Sequence, residues 1–357
     1  MAIVLFLLII GVVILVHELG HYTAARCCGV SVNEFALGLG PVLLSKEGHV
    51  QACGKRTVYS IRLLPIGGFC DLKSDEESSE FSIDSKKPLQ RLWIVVNGAV
   101  FNVFFAIVVI FLVIFFSAFP TSTIRAVQED SPAYTAGVQA GDMIVMVNDR
   151  RVRIFEDFML YVALNGVQPL NMEVEREGGL YTFYITPDIT SSGQAFIGVS
   201  SSIKAKNTHG LEHVGQAMVV DVLVNTVHKV RLLAETPIFV ISDFVQGKPI
   251  PVGIDFVGPI GMASQVAEIY DDVSSHGMLS VLVTMANLTG MLSVTIGVMN
   301  LLPIPALDGA RSVFIMLEMI RKKQLARELE NAIHRVGMMV LLTLTVFVSV
   351  REVLNLF

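Results

Sequence analysis

Residues 2–25 read AIVLFLLIIGVVILVHELGHYTAA, and this stretch decides the fold. Ala2 to Val16 carries no charge, and the apolar character continues to Ala25 apart from His17, Glu18 and His21. As a helix these 24 residues would measure about 36 Å, enough to cross a hydrocarbon core of roughly 30 Å. A cleaved signal peptide is the rival reading. It needs a basic start and a shorter apolar region, and here no Lys or Arg precedes Arg26. Residues 1–26 are therefore expected to form a first transmembrane helix.

The rest of the chain agrees with that start. Of 357 residues, 53% are hydrophobic and only 16% charged, whereas a soluble domain carries about 25% charged residues. This excludes a disordered chain and speaks against an ordinary cytosolic enzyme. The net charge of −6 speaks against nucleic acid as a partner. Leu92 to Phe119 and Met278 to Leu302 are charge-free runs of 28 and 25 residues, and Val336 to Val350 is a shorter one of 15. The expected architecture is a polytopic α-helical membrane protein with four spans, at 1–26, 92–119, 278–302 and 336–357. Arg351 would snorkel to an interface.

Segments 27–91 and 303–335 would share one side of the bilayer, and 120–277 the other. Residues 26–91 hold 9 Lys/Arg, 303–335 hold 6, and the much longer 120–277 only 10 beside 18 Asp/Glu. The positive-inside bias makes the first two cytoplasmic and leaves both termini outside. Within the external segment, 120–190 reads as a small α+β domain. Strands are expected at Arg125–Gln128, Met143–Val147, Arg151–Arg153, Asn171–Arg176 and Leu180–Ile185, with a helix at Phe155–Asn165. Residues 191–277 read as a linker. Leu211 to Phe244 suits a helix lying along the membrane interface or, equally, one packed on the insert. Pro249, Pro251, Gly253, Gly258, Pro259 and Gly261 are expected to break regularity after it.

The chemistry concentrates in His17-Glu18-Leu19-Gly20-His21. Residues i and i+4 share a helix face, so both imidazoles can hold one metal ion, and Glu18 is placed to take a proton from a water activated there. Ionisable groups inside a span default to function. A catalytic zinc takes a third protein ligand. Asp308, in Asn300-Leu301-Leu302-Pro303-Ile304-Pro305-Ala306-Leu307-Asp308-Gly309, is the one acidic residue near the cytoplasmic end of the third span. It could equally cap the helix that follows. Asn300 offers an amide able to hold a peptide carbonyl.

HELGH in the first span together with NLLPIPALDG after the third resembles the site-2 protease family of intramembrane zinc metalloproteases, closest to bacterial regulator-of-sigma-E proteases with a single PDZ domain. Further segments carry the resemblance: Phe35 to Pro41 (FALGLGP), Leu64 to Phe69 (LPIGGF), Gly98 to Asn102, Ser131 to Asp142, and Gly258 to Ala263. Ala99 and Arg311 depart from the family's usual Pro and His. The resemblance implies that His17, His21 and Asp308 bind Zn2+, that Glu18 is the general base, and that Asn300 helps hold the substrate. It implies a membrane-associated β-hairpin within 27–91, an external PDZ domain at 120–190, and residence in the bacterial inner membrane. It also implies a single-span membrane protein as substrate, such as an anti-sigma factor or a remnant signal peptide. The PDZ domain would filter substrates or bind a terminus exposed by an earlier cut.

Other polar residues are expected to be structural. Cys27 and Cys28 read as small apolar residues at a helix end, and Cys53 and Cys70 lack partner spacing. Asn97 and Asn102 are expected to bond across helices, with an active-site role as the lesser reading. Asp75 to Glu80 reads as a solvated acidic loop, and His49, His209, His213, His228, His276 and His334 as scattered histidines. Two rival functions remain: a scaffold that has lost catalysis, against which the intact His17, Glu18, His21 and Asp308 speak, and a transporter, against which the lack of repeated halves speaks.

Overall fold

The structure is a computed structural model that describes residues 2–51, 54, 56–72, 80–117, 119–190, 193–204, 216–245, 258–323 and 326–354. Cys53, residues 75–79, His209, His213, Pro249, Pro251 and Gly253 lie outside the described residues. In chain order the main elements are α1 (Ala2–Cys27), β1 (Glu34–Val50), β2 (Arg56–Asp71), α2 (Pro88–Phe116), β3 (Phe119–Val127), α3 (Pro132–Ala136), β4 (Met143–Val147), β5 (Arg150–Arg151), α4 (Phe155–Asn165), β6 (Leu170–Arg176) and β7 (Gly179–Ile185). Then come β8 (Asp188–Ile189), β9 (Ala195–Phe196), β10 (Val199–Lys204), α5 (Gln216–Val245), α6 (Pro259–Ser274), α7 (Met278–Leu301), α8 (Asp308–Arg321) and α9 (Arg327–Leu354). The chain divides into two compact units, residues 1–109 with 257–357, and residues 110–256.

In the first unit α1, α2, α7 and α9 are long and apolar enough to cross a membrane. Two of them reach further upstream than the uncharged runs. α2 begins at Pro88, a residue suited to a helix start because its missing N–H has no partner there in any case. α9 begins at Arg327 and takes in Glu328, Glu330, His334 and Arg335. Charged side chains leave an apolar run without leaving a helix, so a helix can start before its apolar run does.

Gly258-Pro259 is a helix start and not a break. Gly258 is the N-cap and Pro259 the first residue of α6. The apolar face of α6 packs through Val266 with Ile9 of α1 and Val281 and Met285 of α7.

β1 and β2 form more than a simple hairpin. Glu34–Leu37 faces Val58–Ile61 on one side and Gly68–Asp71 on the other, while Val42–Val50 pairs back onto Arg62–Arg56. Gly38, Gly40 and Gly67 have φ near +90° at the folds, a region where an L side chain is costly. A Cβ on Gly38 would also meet the Leu64 carbonyl oxygen. The base is pinned by buried Gln51, which bonds both the N–H and the C=O of Val32. Burial opposes charge on Glu34, but hydrogen bonds from Ser60 and Arg62 outweigh it and hold the carboxyl below its usual range.

In the second unit the sheet runs β10-β3-β4-β6-β7, with β5 on β4. β4 and α4 occupy the expected residues, and β3, β6 and β7 overlap theirs. Phe158, Ile144, Met172 and Val174 centre its core. The sheet also recruits β10, whose Val199 pairs with Val127. It therefore extends past residue 190, because a Ser-rich stretch with little intrinsic strand signal is completed by its neighbour. α5 is tied to α4 by Arg231, whose guanidinium donates to the fully buried Asp157 at 2.6 Å. At that contact the helix is packed on the insert.

Candidate metal centre

His17 and His21 sit one turn apart on α1, their rings edge to face with centroids 4.8 Å apart. Asp308 reaches them from α8. α7 stops at Leu301 because Leu302, preceding Pro303, is extended. The intervening loop turns through Ala306 at φ +82°, and His334 of α9 accepts the Ala306 N–H at 3.1 Å. A Cβ on Gly309 would strike the Leu302 carbonyl, so the turn closes only with glycine there. Arg91 of α2 anchors α8 through Glu318 at 2.8 Å.

Asp308 is the first residue of α8 and the N-cap is Leu307, which makes no side-chain cap. The Asp308 carboxylate faces the two histidines of α1. Its Oδ2 lies 3.0 Å from Nε2 of His17 and 3.2 Å from Nε2 of His21, and the two nitrogens are 3.1 Å apart. Among the described residues these three form the one group of His, Cys, Asp and Glu side chains able to share a metal ion.

The donor set fits zinc. Ligand atoms at zinc distances of 2.0–2.1 Å lie about 3.3 Å apart on a tetrahedron, close to the separations seen here. Nδ1 of His21 faces the Ile94 carbonyl at 2.9 Å, so its proton is placed there and the Nε2 lone pair points inward. Space for the rings comes from Gly98 of α2, where a Cβ would stand 2.5 Å from Nε2 of His21.

The remaining candidates surround this triad. Glu18 is half-buried beside β2, with Gly68 against its side chain and the Cys70 backbone amide as a partner. Burial, with the carboxylates of Glu18 and Asp71 nearby, pushes the Cys70 thiol up to about 12, so it stays protonated at neutral pH. Nδ2 of Asn300 lies 3.3 Å from Nε2 of His17. Nε of Arg311 lies 3.9 Å from a carboxylate oxygen of Glu330. Cys27, Cys28 and Cys70 are free thiols outside the triad. Asn97 bonds across helices to the Gly20 carbonyl at 2.8 Å. Asn102 also reaches across, but its neighbour is Nδ1 of His17, at 3.5 Å. Ile94, Gly98 and Asn102 recur every four residues along α2, matching the spacing of the two histidines. Gly98 and Asn102 also bound a segment that carries the family resemblance, whereas nothing in the sequence marked Ile94.

Peptidase family M50 matches residues 5–344. The chain belongs to that family. It is 29% identical to a candidate zinc metalloprotease of Clostridium perfringens, over 99% of each chain. It is 30% identical to a candidate zinc metalloprotease of Clostridium acetobutylicum, over 98% of this chain and 97% of that one. Metalloprotease MmpA of Caulobacter vibrioides is 28% identical, over 96% of this chain and 93% of its own. Among solved structures, the PDZ domain of an SdrC-like protein from Listeria monocytogenes aligns with 23% of this chain at 18% identity and a TM-score of 0.22, too low to bear on the fold. The family match bears out the resemblance to site-2 proteases, the metalloprotease activity and zinc as the metal. With four apolar helices of spanning length, the M50 peptidase is a membrane protein.

Proposed function

We propose that this M50 peptidase cuts a single-span membrane protein within or near its membrane segment, with His17, His21 and Asp308 as zinc ligands and Glu18 as general base. The observation that carries this is the meeting of His17 and Asp308, 291 residues apart in sequence, at 3.0 Å, beside a half-buried carboxylate.

Zinc, when bound, supplies the positive charge that polarises a peptide carbonyl and eases deprotonation of water. Glu18 takes the proton from the attacking water and returns it to the leaving amine. The Asn300 amide donates to the carbonyl oxygen as negative charge develops. A helical substrate hides its carbonyls in its own hydrogen bonds, so it must unwind to be cut. The β2 stretch Gly68–Asp71, next to Glu18, offers an edge on which an unwound segment can pair as a strand. Half-exposed Leu43, Leu44, Leu63 and Leu64 suit a β1–β2 sheet seated in the bilayer surface. The Lys/Arg bias supports a bacterial inner-membrane topology with residues 27–91 and 303–335 cytoplasmic and the β-rich unit external. We read that unit as a PDZ domain that filters or captures substrates such as an anti-sigma factor or a remnant signal peptide.

The test is zinc content beside cleavage of a model single-span substrate. Wild type should hold about one zinc per chain and cleave, Asp308→Ala should lose most of the metal, and Glu18→Gln should keep it without cleaving. Cleavage that survives Glu18→Gln would remove Glu18 as the base, and a folded wild type free of tightly bound metal would favour the scaffold reading.

A further inference from the structure

Three positions on one stripe of α2 meet the two histidines. Ile94 gives its carbonyl to Nδ1 of His21. Gly98 withholds a Cβ from both rings. Asn102, fully buried, brings its carboxamide to Nδ1 of His17 at 3.5 Å. The first two contacts serve the metal site directly. The third has a feature that needs a reason: the Asn102 amide oxygen is buried without a hydrogen-bond partner. Buried polar groups are almost always satisfied, and leaving one unmade costs about 1–3 kcal/mol.

Proton bookkeeping on His17 supplies that reason. A neutral imidazole has one N–H and one lone pair. With Nε2 turned to Asp308 and His21, binding a metal there moves the ring proton to Nδ1. That proton then needs an acceptor, and Nδ1 faces the Asn102 carboxamide. The two ends of a carboxamide have nearly the same shape and differ only in hydrogen bonding. Turning it over sets the orphaned oxygen against the Nδ1–H. We infer that Asn102 is a positioning residue for the metal centre, whose amide oxygen accepts the Nδ1 proton of His17 and fixes the tautomer that presents Nε2 to zinc. The buried oxygen and the ring proton thus satisfy each other when metal is bound. α7 holds Asn102 in place: Ser293 donates to its backbone carbonyl at 2.9 Å, and Gly297 lies close against its Cβ. α2 therefore orients both histidine ligands, one through backbone and the other through a side chain.

This rests on the zinc-ligand reading, and the experiment separates the two. Zinc affinity is measured on the full-length protein in detergent by competition with a chelator, for wild type, Asn102→Leu, Asn102→Ala and Asn102→Asp. Cobalt-substituted ligand-field spectra and the melting temperatures of metal-free and metal-loaded protein are recorded alongside. Removing an outer-shell partner typically lowers metal affinity 10- to 100-fold. Asn102→Leu should show a loss in that range, a shifted cobalt spectrum and a smaller rise in melting temperature on loading. Asn102→Asp keeps an acceptor and should stay near wild type in affinity and spectrum. A merely structural Asn102 would lower both melting temperatures together and leave affinity and spectrum alone, which overturns the inference. Should Asn102→Leu not fold, Asn102→Ala carries the same expectation, and wild-type affinity in it sinks the proposal. A wild-type protein that binds no zinc overturns the ligand reading and this inference with it.

Discussion

A Cβ on Gly98 would stand 2.5 Å from Nε2 of His21 and 2.8 Å from Cε1 of His17. Real side chains do not approach so closely, so Gly98→Ala must push the imidazoles aside or separate α1 from α2. Overpacking of this kind costs about 1–3 kcal/mol. The variant is expected to lose most of its zinc and to melt earlier. Zinc per chain by elemental analysis and a thermal melt check this, and full occupancy with an unchanged melt would mean that the rings have room to spare.

Ala306 holds a left-handed backbone at φ +82° in the turn that delivers Asp308. That conformation costs an L residue about 1–2 kcal/mol, while glycine gives back about 0.5–1 kcal/mol in unfolded-state entropy. Ala306→Gly is therefore expected to leave stability unchanged or raise it by up to about 1.5 kcal/mol. His334→Ala, which removes the acceptor for the Ala306 N–H, should lower it and weaken zinc retention. Paired melts of the two variants decide the matter, and a lower melting temperature for Ala306→Gly would count against backbone strain at this turn.

Asp142 couples stability to pH in the β-rich unit. Burial opposes its charge, but hydrogen bonds from Arg176 at 2.6 and 2.8 Å and from the Gln139 N–H outweigh that and hold the carboxyl below the ordinary range. A carboxyl lowered in the folded state stabilises it above the unfolded value of about 3.9. That contribution fades as pH falls through the folded value. Hydrogen exchange of β4 and β6 amides, corrected for intrinsic rates, should show protection lost as pH drops below about 4. Asp142→Asn should weaken protection at pH 7 and flatten its acid dependence. An acid dependence identical to wild type would place the sensitivity elsewhere.

Arg231 binds the Asp157 carboxylate while that group also accepts the N–H groups of Arg153 and Ile154 at the start of α4. Arg231→Leu leaves a buried charge short of its partner, a loss of about 3 kcal/mol. α5 should then be cut sooner in limited proteolysis. Asp157→Asn in the same chain should recover part of the loss. Additive losses in the double variant would show that the two side chains are not coupled.

The sequence alone carried the membrane class, the four apolar helices and the HELGH pair, because hydropathy and helical period are local properties of the chain. It also carried β4 and α4 of the external segment, where alternation and turn residues agree. It could not choose between Asp308 as ligand and Asp308 as cap. Both are locally sound, and only the loop folded around Ala306 and His334 turns the carboxylate toward His17 and His21, 291 and 287 positions upstream. Gly258-Pro259 looked like a break because the same residues start helices and end regular structure, and the packing of α6 on α1 and α7 decided which. Gly98 to Asn102 was legible only as a segment of the family resemblance, and Ile94 not at all, for a related reason. A backbone carbonyl, a missing Cβ and a buried carboxamide have no chemical signature of their own, and they acquire one only where the tertiary structure sets α2 against His17 and His21.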